Sequence, residues 1–237
     1  PKELPDGVYF ILSQRPVNVK LPNFEPVIEK LEAQGEDNLQ DIESYLSAVA
    51  KRPEVAGQIR SKEYTEEFFI QTLKEKSQGV WMYLHYIIKE IESGARAPLD
   101  LANLPTGLVG YYAEYWDAWR TGKHGKGEET WDELYAPLLT TLAAAQEAIT
   151  IETLIQWADV TAKPREVTRL LTEHWRSFIT EKDVNGKKAY APYHLSLKDF
   201  ITGRVNTNKL PPAQANLVKD LAAQTVDAHR RIVEAFE

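Results

Sequence analysis

A mainly α-helical fold is predicted by three observations. From Asn38 onward, apolar residues recur at helical spacing through almost every segment. Three of those helices are followed by the hairpin signal Asp183-Val184-Asn185-Gly186, the order of a winged helix. At the other end, Gly7-Val8-Tyr9-Phe10-Ile11-Leu12 is a nearly continuous apolar run rich in β-branched and aromatic residues, the signature of a buried parallel strand. The expected whole is a helical bundle followed by a winged-helix domain, with a short β remnant of an α/β core ahead of both.

Pro16 stops the first strand, and residues 26–31 form one more short strand. Asn38 and Asp41 form a capping pair ahead of Ile42, Tyr45, Leu46 and Val49, which share one helical face. Thr65 opens a second helix with Phe68, Phe69 and Leu73 inward. Gly79 breaks it, and a third helix runs from Val80 to Ile91 with Gly94 as its stop. Thr106 caps a helix carrying Tyr111, Tyr112, Tyr115, Trp116 and Trp119, whose spacing predicts packing of one half of the chain on the other. Gly122 to Gly127 reads as a flexible linker open to proteolysis. Helices follow at Trp131–Ala145, at Ile151–Ala158 behind the cap Thr150, and behind Pro164 with Val167, Leu170, Leu171 and Trp175. Strands around Ile179 and Tyr190 flank the hairpin turn, a short helix starts at Ser196, and Pro211-Pro212 precede a long helix, Ala213 to Phe236. The corresponding segments are 1–34, 35–121, 122–130, 131–208 and 209–237.

Composition narrows the function classes. The 237 residues are long enough for one large or two small domains. A formal net charge of -7 provides no global basic field for nucleic acid or anionic membrane. There is no cysteine, which removes disulfides, thiolate metal sites and a cysteine nucleophile, and which agrees with a reducing, cytoplasmic setting. The five histidines are far apart, so no metal site is expected. The most apolar run, Val80 to Ile91, is too short to span a bilayer. Pro1 suggests a trimmed piece of something longer.

The segment His194-Leu195-Ser196-Leu197-Lys198-Asp199-Phe200 holds the most informative site candidates. Ser196 and Asp199 have the spacing of a capping box, with Ser196 as the cap, which makes them structural rather than parts of a catalytic triad. His194 would sit beside the positive end of that helix, where it either contacts a phosphate or caps its own helix or hairpin. Arg165, Arg169, Arg176, Lys182, Lys187 and Lys188 fall on the third helix and the wing, a DNA-binding pattern, but Glu166, Glu173, Glu181 and Asp183 interleave with them.

Taken in order, the landmarks resemble the regulatory arm of a STAND-class P-loop NTPase, of the NACHT or apoptotic-ATPase type. Leu4-Pro5-x-Gly7-Val8-x-Phe10-Ile11-Leu12-Ser13-Gln14-Arg15-Pro16 resembles the late core strand that ends in Ser-Arg-Pro. Asn38-Leu39-Gln40-Asp41-Ile42-x-x-Tyr45-Leu46 and Lys76-Ser77-Gln78-Gly79-Val80-Trp81-Met82-Tyr83-Leu84 resemble two stretches of the helical domain that follows. Leu104-Pro105-x-Gly107-Leu108-x-x-Tyr111-Tyr112 resembles the element before the winged helix, and His194-x-Ser196-x-x-Asp199-Phe200 the sequence that ends it. Ala228-His229-Arg230-Arg231-Ile232 resembles the entry to a following superhelical or repeat region. The resemblance implies that Arg15 senses the terminal phosphate, that His194 contacts the β-phosphate of ADP in an off state, and that the turn at Gly79 lies on the adenine side. It implies ADP or ATP with Mg²⁺ in the intact parent, and an upstream nucleotide-binding core and a downstream repeat region as intramolecular partners. It also implies self-oligomerisation once ATP replaces ADP.

The departures are equally definite. The chain has no Gly-x-x-x-x-Gly-Lys-Ser/Thr and no apolar strand ending in paired acids, so it is not expected to be an enzyme or to hold a nucleotide tightly by itself. Gly79 is followed by Val80 and Trp81, where the apoptotic branch has a Gly-x-Pro turn. The two rival expectations are a winged-helix DNA-binding regulator and a helical protein-interaction adaptor.

Overall fold

A computed structural model describes residues 11–12, 27–125 and 128–235. The fold is mainly helical with one small antiparallel sheet. Residues 1–32 form one unit and residues 33–237 a second, compact one. Arg15 and most of the strand expected over Gly7–Leu12 lie outside the described residues. Ile11 and Leu12 are exposed and outside any strand, and the short strand expected at 26–31 does not form over its described part, residues 27–31.

The compact unit begins with α1 (Glu36–Ala50), α2 (Pro53–Ser61), α3 (Glu66–Ser77) and α4 (Trp81–Glu92). Ile42, Leu46 and Val49 recur at helical spacing and make the buried face of α1. Asn38 does not cap α1. The N-cap is Gly35, and Asn38 lies within the first turn with its side chain turned to other parts of the chain. Thr65 caps α3 as expected, accepting the Phe68 N–H at 3.1 Å. Phe69 and Leu73 are buried but Phe68 is half exposed, because it lies about 100° round the helix from Phe69 and about 140° from Leu73. Gly94 has φ +75° just past α4, the left-handed stop its sequence suggested.

A second group comprises α5 (Gly107–Arg120), α6 (Glu128–Thr130) running through a π-helical turn (Trp131–Tyr135) into α7 (Ala136–Ala144), and α8 (Ile151–Ala158). After it come α9 (Pro164–Arg169), which continues as a second π-helical turn (Leu170–His174), then β1 (Ile179–Val184) and β2 (Lys187–Pro192). The chain closes with α10 (Leu195–Ile201) and α11 (Pro212–Glu234). The β1–β2 register pairs Ile179 with Pro192 and Val184 with Lys187, leaving Asn185-Gly186 as a two-residue turn with φ +54° and +77°. Asn-Gly tolerates two left-handed residues in succession, which is why this pair makes a tight hairpin. Ile149, between α7 and α8, adds a single bridge to Tyr190 of β2.

Within the compact unit, α5 packs against both the helices before it and the elements after it. Tyr115 lies 4.4 Å from Phe178, Trp116 5.1 Å from Trp175 edge-on, and Tyr112 5.6 Å from Phe200, measured between ring centroids. The expected linker is also anchored: the His124 ring packs on Tyr115 and Trp119, and a Cβ on Gly125 would meet Tyr135 at 2.9 Å. α11 packs along α7 through Leu217, Val218, Leu221, Thr225 and Ala228 and belongs to the same unit.

These contacts fix the stability hierarchy. Trp116→Ala or Phe178→Ala should each cost about 3–5 kcal/mol, whereas Phe68→Ala at a half-exposed position should cost well under about 1.5 kcal/mol; urea denaturation of the three variants checks the order.

Candidate functional site

The site is built where the hairpin hands the chain to α10. The Tyr193 N–H donates to the Phe178 carbonyl at 2.7 Å, which holds the end of β2 against the start of β1. His194 follows in an extended conformation, φ -134° and ψ 144°, and is the N-cap of α10. Its Nδ1 accepts the Ser196 N–H at 3.2 Å and lies 2.7 Å from Ser196 Oγ. Ser196 Oγ in turn lies 2.9 Å from the hydroxyl of Tyr112 on α5. Burial raises the pKa of the Tyr112 phenol, which favours the protonated hydroxyl at this contact.

This corrects the expected capping box. Ser196 and Asp199 are inside α10, and the Ser196 N–H that Asp199 was expected to accept is taken by His194. The cap falls two residues earlier than the serine pattern suggests, and the imidazole reaches the amide two positions on. Of the two readings of His194, capping of its own helix is present. The ring orientation follows from it: with Nδ1 held at the Ser196 N–H, the Nδ1 edge faces α10 and Nε2 lies on the opposite edge of the ring. His194 is exposed, and Tyr193 beside it is half exposed and lies 6.4 Å from the ring of His85 on α4 in a stacked orientation.

Lys198, one turn into α10, donates from Nζ to the Ala145 carbonyl at 3.0 Å and so caps the C-terminal end of α7. Partial burial, and then the charge of Arg204, pull its pKa below the usual lysine value. α10 is therefore bound on two sides, to α5 through Ser196 and to α7 through Lys198. Sequence reading missed both partners. Tyr112 belongs to the aromatic stripe of α5 with nothing in its spacing to mark a hydroxyl partner, and Lys198 carried no signal at all.

Gly79 belongs to a different cluster. It has φ +75° in the α3–α4 turn, and a Cβ there would lie 1.8 Å from the Ala33 carbonyl oxygen. The face expected to lie beside an adenine is covered by the chain's own backbone. Among the site residues expected from sequence, His194 and Ser196 are in direct contact, Gly79 sits in the α3–α4 turn, and Arg15 lies outside the described residues.

The basic residues of α9 and the hairpin are partly neutralised. Arg169 pairs with Glu173 at 2.8 Å and Lys188 with Glu181 at 2.9 Å. A depression of about 220 Å³ lies between the second π-helical turn and the hairpin, lined by Leu171, Thr172, Arg176, Ile179, Glu181 and Tyr190; His194 is not part of it. Among the described residues, no cluster of acids and histidines has metal-binding geometry, and no helix is long and apolar enough to cross a membrane.

Compared with known protein families, curated proteins and solved structures, the chain matches none.

The cap can be tested directly. His194→Ala should cost about 1 kcal/mol of stability, and His194→Asn, which keeps a capping oxygen, should recover most of that loss in urea titrations.

Proposed function

We propose that the chain is the regulatory arm of a nucleotide-dependent signalling switch of the STAND type. It holds ADP in the off state and reorients on ATP exchange to permit self-association. The observation that carries the reading is His194. Its ring is oriented by Ser196 and, through it, by Tyr112, and it lies at an exposed position. An N–H donor on an exposed, fixed ring suits a phosphate oxygen.

Two further features support it. Three helices, the Ile149 bridge to Tyr190 and the β1–β2 hairpin follow the order of a winged helix. The sequence landmarks fall in the order of the STAND arm. The nucleotide and its Mg²⁺ would be held by a P-loop core supplied by the partner region, because this chain lacks the phosphate-binding loop. The residues described here would orient and retain ADP but not hydrolyse ATP. The setting fitting this role is the cytoplasm.

The DNA-binding alternative finds less support, since the acidic chain pairs Arg169 and Lys188 internally. The adaptor alternative needs no oriented imidazole.

In a protein carrying this chain with a phosphate-binding loop, His194→Ala and His194→Asn should both speed release of a fluorescent ADP analogue about tenfold or more, the worth of a hydrogen bond to a charged group. Unchanged release in both variants would falsify the role of the imidazole; because asparagine keeps the cap, loss of the cap cannot mimic the effect. By calorimetry, the chain alone should show no micromolar affinity for ADP or ATP, and it should not be retained on random duplex DNA at low salt.

A further inference from the structure

The most connected polar side chain outside the α10 site is Asn38. Its Nδ2 donates to the Ala33 carbonyl at 2.6 Å and to the Gly79 carbonyl at 3.0 Å, and its Oδ1 accepts the Trp81 indole N–H at 2.7 Å. One amide therefore joins the segment before α1 to the α3–α4 turn and to the first residue of α4.

The turn is shaped to receive that segment. Gln78 and Gly79 are both left-handed, with φ +53° and +75°. The Gly79 N–H is taken by Ser77 Oγ at 3.1 Å, and that hydroxyl donates to the Lys74 carbonyl at 2.8 Å. With its own donor satisfied inward, Gly79 presents a bare Cα face to Ala33. A Cβ there would stand 1.8 Å from the Ala33 oxygen and 2.5 Å from its carbonyl carbon, so only glycine lets the two backbones meet.

The bonds that make this closure differ in kind from those of the core. Ala33 and Gln34 are exposed, Trp81 is 42% exposed and Asn38 is half-buried, so water can replace each bond as it opens. The α4 residues behind them, Tyr83, Leu84 and Ile87, are fully buried. Breaking the Asn38 bonds does not require those side chains to move.

We propose that Ala33-Gln34-Gly35 is a strap latched over Gly79 by Asn38, and that it opens as a unit while the helical core stays folded. Opening would add about three residues of free chain ahead of α1, roughly 10 Å of reach. It would also uncover the Gly79 face and release the Asn38 N–H that Ala33 accepts. The latch is independent of the nucleotide reading.

Hydrogen exchange on the full chain tests this. The two probes are the backbone amides of residues 33–40 and the Trp81 indole N–H, assigned by its loss in Trp81→Phe. Asn38→Ala should raise exchange of both probes at least tenfold, with the amides of 83–91 unchanged. Gly79→Ala, which leaves Asn38 and Trp81 intact but drives a methyl into Ala33, should do the same. Gly57→Ala, at a helical position with nothing within 4 Å, should leave both probes alone. Unchanged exchange at 33–40 and at the indole in Asn38→Ala overturns the latch. Equal acceleration of 83–91 overturns it too, since the clamp would then be part of the core rather than a strap.

Discussion

The ring of Phe178 is the point on which the compact unit depends. Tyr86, Tyr111, Tyr112, Tyr115 and Trp116 all lie within 4.4–6.2 Å of it between centroids. It sits at the mouth of β1, so the start of the sheet is held by rings from α4 and α5 rather than by further strands. A two-stranded hairpin is marginal by itself in water, and here it is stabilised by what packs against its base. The same rings place Tyr193 and the entry to α10, because the Phe178 carbonyl accepts the Tyr193 N–H.

The phenols of this cluster do more than fill volume. Burial raises the pKa values of Tyr83, Tyr111 and Tyr112 and keeps the hydroxyls as donors. Each donor has a definite acceptor or partner: Tyr83 the Pro105 carbonyl, Tyr111 the Glu90 carboxylate, Tyr112 the Ser196 hydroxyl. Glu90 is also paired with Arg96, which reaches Glu114 at 2.9 Å, so charge among the rings is matched rather than left exposed to an apolar surround. A cluster built from phenylalanine alone could bury comparable area but would not orient Ser196, and hence not His194.

Much of the helical plan was legible because apolar period, caps and breakers agree with the tertiary structure. Thr65, Thr150, Pro164, Gly94 and Asn185-Gly186 each do locally what their chemistry dictates. The misses share a cause. Asn38 and Ser196 have capping side chains in capping sequence contexts, yet their hydrogen bonds go elsewhere: Asn38 to Ala33, Gly79 and Trp81, Ser196 to Tyr112 and His194. Local pattern gives the capacity to donate or accept, and only long-range packing decides the partner. At Gly125 the absence of a Cβ lets the rings of Trp119 and Tyr135 pack against the backbone, a contact that local pattern does not announce.

The double-faced burial of α5 has a mechanical consequence. Rings on one helix engage α4 on one side and the hairpin base, α9's extension and α10 on others, so no soft axis runs between the early helices and the late ones. α11 packs directly on α5, α5 on α3 and α4, and α3 on α1, so the late helix is connected to the first one through packed neighbours. The early and late helices of the unit spanning 33–237 therefore share one core rather than two.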